Sequence, residues 1–196
     1  MRLGERDMKP DTSKTIPRND LQRSPADAFR FCPHCGGESL AVEEQRAIKC
    51  GICGFLFFFN SATAAGAFIF HQHQLILGIR GQDPCKGMLD LPGGFIEYDE
   101  TVEEGLQREI TEELGIETRN FRYLTSVPND YLYAGVLYKV TDLFFICEAP
   151  EISEMQASDD VADFLIIAPE EIDPEQLAFR SSRMALEKLK IWLKRA

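Results

Sequence analysis

The sequence predicts an α/β fold with a small module ahead of it. Three observations carry that expectation. Several strand-patterned stretches between residues 64 and 168 flank one strongly patterned helix, and a second apolar-striped helix closes the chain. Before them lie two C-x2-C pairs, Cys32/Cys35 and Cys50/Cys53, separated by fourteen residues. With 196 residues, 44% hydrophobic and 27% charged, the chain has the composition of an ordinary globular protein with ample length for a core.

The chain is organised around residues 94–116, GFIEYDETVEEGLQREITEELGI. After the glycine turn, Thr101 is a suitable helix cap, Glu103 and Glu104 suit the positive first turn, and Gly115 suits the end. Val102, Leu106, Ile110 and Leu114 recur every four residues and predict the buried stripe. Glu109, Glu112 and Glu113 fall beside that stripe, at spacings that make them neighbours on the helix surface. Three adjacent carboxylates at the edge of a core face are reasonable where a hard cation neutralises them. Mg²⁺ and Mn²⁺ prefer carboxylate oxygen, and Mg²⁺ is commonly shared between carboxylates and substrate phosphates. The bland alternative is a solvated acidic face.

Residues 1–29 mix both charges with Pro10, Pro17 and Pro25 and lack apolar periodicity, which predicts a mobile tail. In the module at 30–60, four thiolates in two glycine-relaxed knuckles form a closed tetrahedral set for structural Zn²⁺, leaving His34 a bystander. The intervening 39–49 reads as a strand or hairpin. The run 55–59, Phe-Leu-Phe-Phe-Phe, is expected to pack this ribbon onto the domain that follows. Strands are then expected over 64–71 and 74–80, a loop over 81–88, strands over 121–127 and 135–148 with a loop at 128–133, an acidic loop over 149–160, and a strand over 161–168. Asp173-Pro174 is expected to open a final helix running to about Arg195.

The net charge of −11 disfavours broad nucleic-acid or anionic-membrane binding but not a phosphate substrate, because bound cations invert the local field. No apolar run approaches 18 residues and the N-terminus lacks a signal-like apolar stretch, so a cytoplasmic address is expected.

The string from Gly94 to Ile116 resembles the Nudix box, G-x5-E-x7-R-E-U-x-E-E-x-G-U with U aliphatic, at each specified position. The preceding LDLPGG resembles the family's K-G-x-W-x-L-P-G-G approach, with Leu89 where the tryptophan usually stands. The resemblance covers 61–196 and implies a Nudix α/β/α sandwich with a mixed sheet. Ribbon followed by box is similar to the domain order of the NADH pyrophosphatase group. The family's usual reaction is metal-dependent hydrolysis of a nucleoside diphosphate linked to another group, releasing a nucleoside monophosphate. By the same resemblance Glu109 and Glu113 are the primary Mg²⁺ or Mn²⁺ ligands, with the Gly93 carbonyl. Glu112 is a ligand or the base that orients water, and Arg108 holds Glu100 and the acid cluster in place. Some relatives take the base from a late loop, where this chain offers Glu154, Asp159 and Asp160.

NADH pyrophosphatases carry S-Q-P-W-P-F-P-x-S after the box, whereas 126–131 here keeps only the S-x-P start. NADH is therefore not singled out from ADP-ribose, NAD, a flavin dinucleotide or a damaged nucleotide. Pro128, Tyr131 and Tyr133 are the candidates for stacking a base, and Arg80 is added as a substrate contact. A packing role for the same rings is the competing reading. The partners expected are a small nucleoside diphosphate derivative and a second copy of the chain, with neither nucleic acid nor membrane. Two other functions stay open: a nucleotide-sensing Nudix regulator that does not cut, and an RNA-directed hydrolase of the decapping type.

Overall fold

In the computed structural model of the chain, residues 25–44 and 46–195 are described; most of the predicted tail lies outside them. Three strands build the N-terminal module: β1 (Leu40–Glu43), β2 (Ala47–Cys50) and β3 (Leu56–Phe58), paired antiparallel in that order. The predicted hairpin at 39–49 is β1 and β2, with Leu40 opposite Cys50. The phenylalanine run lines a cleft together with Phe95, Tyr98 and Tyr138 of the domain that follows, but its rings are less covered than expected. It forms the edge strand β3, and Phe57 and Phe58 stay 41% and 55% exposed. A three-residue edge strand buries its side chains only where a second layer covers it. The run packs largely on itself, with Phe55 stacked on Phe57 at 6.4 Å and Phe57 edge-on to Phe59 at 5.4 Å, and Phe29 meets the rings of Phe57 and Phe59 at 6.2 and 5.6 Å.

The larger sheet begins with β4 (Ala62–His71) and β5 (Gln74–Arg80), followed by the short β6 (Leu89–Asp90) and β7 (Gly93–Phe95). Helix α1 (Val102–Leu114) leads to β8 (Arg119–Tyr133), β9 (Val136–Glu148), β10 (Val161–Ile167) and helix α2 (Arg180–Leu193). The sheet order is β10-β5-β4-β9-β8, with β6 on β5 and β7 on β4. It is mixed: β4 and β9 run parallel, and the other pairs are antiparallel.

Alternation along the strands divides the core into two layers. Ala65, Ala67 and Ile69 of β4, with Phe145 and Cys147 of β9, meet Leu106, Ile110 and Leu114 of α1. Phe68 of β4, with Phe144 and Ile146 of β9, meets Ala185, Leu186 and Leu189 of α2 on the other face. The result is the α/β/α sandwich. Three fully buried aliphatic side chains on α1 contribute roughly 1.5–3 kcal/mol each. Repulsion between adjacent glutamates costs only a few tenths of a kcal/mol per pair, so burial decides the helix's orientation and the acids follow.

The ends of α1 are as its residues predict. The Thr101 hydroxyl accepts from the Glu104 amide, while the Glu104 carboxylate accepts from the Thr101 amide at 2.8 Å, a reciprocal capping box. Gly115 closes the helix in the left-handed region, at φ 67°. The loop at 149–160 then satisfies the last carbonyls. Gln156 N–H donates to the Leu114 carbonyl and Ser158 N–H to that of Glu113, at 3.1 and 2.8 Å.

Two expected boundaries are corrected. The stretch 128–133 is not a loop but the distal half of β8, whose turn is displaced to Ala134 and Gly135, both at positive φ. Pro128 is tolerated because β8 is an edge strand, where a missing N–H interrupts no second ladder. The final helix is also shorter than expected. Asp173 and Pro174 open a 3-10 turn that ends at Gln176, and α2 starts only at Arg180. Between them Leu177 is buried and bridges Leu89, and the Ala178 N–H donates to the Leu89 carbonyl at 2.8 Å. Pairing to β6 thus interrupts a pattern that locally favours one continuous helix. Among the described residues, no helix is long and apolar enough to cross a membrane.

Removing the Thr101 cap tests the helix end directly. Thr101→Ala is expected to cost about 1 kcal/mol, which for a domain of this size lowers Tm by roughly 2–4 °C in a thermal melt.

Candidate active site

The acidic residues of α1 open into a cleft of about 410 Å³. Glu109, Glu112 and Glu113 form one wall with Arg108, and Gly93 and Gly94 of β7 lie beside them. Ala64, Ala65 and Gly66 of β4 line it too, and Asp159 and Asp160 reach it from the acidic loop. The opposite wall is built by Asn129 and Tyr131 of β8, Val140, Asp142 and Phe144 of β9, and Phe179 and Ser182 at the start of α2.

Arg108 fans across the acids. Its guanidinium donates twice to Glu100, at 2.9 and 3.2 Å, and once to Glu109 at 2.9 Å. Further bonds reach Glu112 at 3.3 Å and the Phe95 carbonyl at 3.1 Å. Glu100 also accepts from the Glu97 amide at 2.7 Å, and these donors, Arg108 foremost, hold its carboxyl below the ordinary range. Gly105 makes this possible. A Cβ there would stand 2.5 Å from the Glu100 carboxylate and 2.8 Å from Ile96, so a residue that weakens the helix by about 1 kcal/mol is the one that fits.

Glu113 differs from its neighbours. It is 8% exposed, and its one protein hydrogen bond comes from the Gly93 N–H at 3.0 Å. Desolvation, with Asp90, Glu109 and Asp159 nearby, pushes its carboxyl up to about 8. Burial raises Glu109 as well, though Arg108 opposes it. The described residues place no second cation among these acids. A buried carboxylate that carries a proton near neutral pH, beside two more acids, matches the donor set for a divalent cation: hard oxygens in excess of their protein counter-charge.

The other predicted residues divide. Arg80 lines the cleft, but its guanidinium is engaged by Asp90 and the Pro84 carbonyl, both at 2.7 Å, and lies 4.9 Å from the Phe179 ring. Tyr131 lines the cleft, with Phe95 edge-on at 5.5 Å. Tyr133 stacks behind it at 6.5 Å, outside the cleft lining. Pro128 is one residue out of phase with Asn129 and Tyr131, so strand alternation turns it to the opposite face. In the acidic loop Asp159 and Asp160 reach the cleft and Glu154 does not. Sequence reasoning missed Asp90, Asn129, Asp142, Phe179 and Ser182. Asp142 alone carried a signal, as the one acid inside an otherwise apolar strand run.

In the N-terminal module the four cysteine Sγ atoms lie within 4.8 Å of one another. The Cys32–Cys53 and Cys35–Cys50 separations are 3.7 Å, against about 3.8 Å between corners of a tetrahedron with ~2.3 Å zinc–sulfur bonds. Backbone donors, first the Cys53 amide, bring the Cys50 thiol down to about 6. Cys53 is pushed up to about 12, since burial and the neighbouring thiols outweigh the Phe55 amide. Four thiols this close ionise together only around a cation, which this set could hold. His34 stacks on Phe55 at 5.6 Å, apart from the cluster.

A sandwich of this topology with a glutamate-rich helix at the mouth of its cleft is the architecture of a Nudix domain. The family model for the NUDIX domain matches residues 60–187, and the chain belongs to that family. It is 34% identical over 118 residues to the NAD-capped RNA hydrolase NudC of Vibrio parahaemolyticus, covering 59% of this chain and 43% of that protein. It is 28% identical over 159 residues to NudC of Vibrio atlanticus, covering 80% and 57%. The chain thus spans about half the length of these relatives. Among solved structures, a NUDIX hydrolase from Nitrosomonas europaea superposes with a TM-score of 0.65 at 23% identity, covering 81% of this chain and 89% of that one. The NUDIX domain of Shewanella oneidensis NrtR, complexed with ADP ribose, gives 0.56 at 22%, covering 69% and 90%.

Glu113 generates a prediction about pH. Its folded value of about 8 lies above the ordinary 4.5, so between those values the folded state binds the extra proton. Its contribution to stability therefore falls as pH rises through that window. Thermal melts from pH 5 to 9 without added divalent cation should show wild type losing ground to Glu113→Gln. Added Mg²⁺ should restore wild type and leave the variant unmoved. Parallel curves for the two proteins would contradict this.

Proposed function

We propose that the chain hydrolyses the diphosphate bond of a nucleoside diphosphate linked to a second group, releasing a nucleoside monophosphate. The observation that carries this reading is the cleft itself, which joins an under-neutralised carboxylate cluster at one end to an aromatic wall at the other. Glu109, Glu112 and Glu113 would hold Mg²⁺ or Mn²⁺ with the Gly93 carbonyl. When bound, such an ion neutralises phosphate oxygens and lowers the pKa of an attacking water. Arg108 is a positioning residue: it holds Glu100, Glu109 and Glu112 in one array and prevents their mutual repulsion from spreading the site. Glu112 and Asp159 are the candidates for accepting the water's proton, since both line the cleft. Tyr131 meets the nucleoside half. In this reading the ribbon at 30–60 carries structural Zn²⁺ on Cys32, Cys35, Cys50 and Cys53, and the catalytic domain is 61–196.

The aromatic wall and the relatives together favour a dinucleotide or nucleotide sugar over a triphosphate. NudC relatives are named as hydrolases of NAD-capped RNA. A capped RNA therefore stands beside free NAD(H), ADP-ribose and FAD as a substrate to test, despite the net charge of −11.

Phosphate release from this panel, in a coupled assay with added phosphatase, tests the reading. Glu113→Gln is expected to keep the fold and lower turnover by at least about a hundredfold, since the metal supplies several kcal/mol of transition-state stabilisation. Glu103→Gln, exposed in the first turn of α1, should match wild type. Wild-type rates in both variants would remove the acid cluster from the reaction. Activity on no member of the panel would favour a nucleotide sensor instead.

Elemental analysis of protein purified in metal-free buffer should find one zinc per chain. Its removal should unfold the module while α1 and the large sheet persist, because binding energy at such a site is folding energy.

A further inference from the structure

The wall opposite α1 carries polar groups that hydrolysis does not use. Along the β8–β9 ribbon, Val127 pairs with Asp142, Asn129 with Val140 and Tyr131 with Tyr138. Strand alternation then puts Asp142, Asn129 and Tyr131 in a row on one face, and all three line the cleft. Asp142 is 9% exposed, and among the described residues it has no ion-pair partner. Burial raises its carboxyl above the ordinary range, with Ser181 and Asn129 beside it to oppose that shift and the Asp90 carboxylate close enough to repel it. Its flanks on the same face are Val140 and Phe144, so an apolar residue would fit the surroundings better. Asp90, the other buried acid nearby, is answered by Arg80; Asp142 is not.

Two rings bound the same space. Tyr131 and Phe179 have centroids 6.2 Å apart with planes at 48°. Phe179 lies on the Arg80 guanidinium, which is itself fixed by Asp90 and the Pro84 carbonyl. The Arg80 plane thus holds a ring in the cleft wall.

We propose that the substrate's nucleobase stacks against Tyr131 and Phe179 while Asp142, assisted by Asn129, accepts from an exocyclic amine on its edge. The cleft would then select amino-bearing bases over their oxo counterparts. This rests on the hydrolytic reading and specifies its substrate. A carboxylate only accepts, so an oxo group in the amine's place would face it lone pair to lone pair. The Asn129 amide can donate to the ring nitrogen beside an amine.

The test compares ADP-ribose with inosine diphosphate ribose, which differ by one amine-to-oxo exchange. Wild type should prefer ADP-ribose by about tenfold to a hundredfold in kcat/KM, mostly through KM. Asp142→Asn, whose amide can donate to the oxo group, should bring that ratio to within about threefold of one. Phe179→Ala should raise KM for both substrates by about tenfold or more and leave the ratio in place. Binding of AMP against IMP, measured by calorimetry, reads the same preference without turnover. A retained AMP preference in a protein that hydrolyses neither conjugate would sink the hydrolytic reading alone. Equal binding of AMP and IMP by wild type would overturn the base assignment. So would a preference unchanged in Asp142→Asn; should that variant not fold, Asn129→Ala must narrow the preference or the assignment falls.

Discussion

Everything at the acidic end of the cleft depends on one guanidinium. Arg108 donates to Glu100, Glu109, Glu112 and the Phe95 carbonyl. It ties the loop before α1 to the helix itself. Without it four carboxylates would face one another across a partly desolvated space, where Coulomb repulsion is several times stronger than in water. With it, the cluster still has more carboxylates than protein cations, and the most buried member, Glu113, answers that shortage by holding a proton, its carboxyl pushed up to about 8.

The depth of Glu113 follows from packing. The aliphatic stripe of α1 must face the sheet, and Glu113 sits next to Leu114 and three residues from Ile110, so burial of the stripe draws Glu113 in with it. Its carboxylate is met at depth by a backbone amide, that of Gly93, which carries no net charge. The carbonyl end of the same helix is closed by the loop that carries Asp159 and Asp160. Helix capping and recruitment of two further acids are thus one structural event. The other end of the cleft is organised differently, by rings and buried polar groups on a two-stranded ribbon whose edge strand is long enough to reach past the sheet.

How far the sequence could be read depended on the range of the interactions involved. The capping residue, the stripe, the acid cluster and the glycine stop of α1 lie within fifteen residues, where helical periodicity dictates which side chains are neighbours. The thiol pairs were legible for the same reason, each knuckle being four residues long. The stretch 128–133 was misread because proline, asparagine and aspartate favour turns locally, whereas twelve cross-strand pairs between β8 and β9 outweigh that preference. The start of α2 was misread because Leu177 is held by β6, almost ninety residues away in the chain.

By itself, then, the sequence determined the acidic half of the cleft and the ribbon: a helix with its acids in phase, its arginine one and four positions from the two helix glutamates it holds, and four thiols in two knuckles. Each is specified by spacing along a single element. Only the tertiary structure decided the other half. Asp90 from β6, Asn129 and Tyr131 from β8, Asp142 from β9 and Phe179 before α2 become neighbours through sheet register and the crossing of α2 over it. Tertiary contact also fixed the Arg80 guanidinium against Asp90 and the Phe179 ring, at the edge of the cleft. No periodicity in the chain records those meetings, because they are fixed by which strands pair and by how far each is shifted against the next.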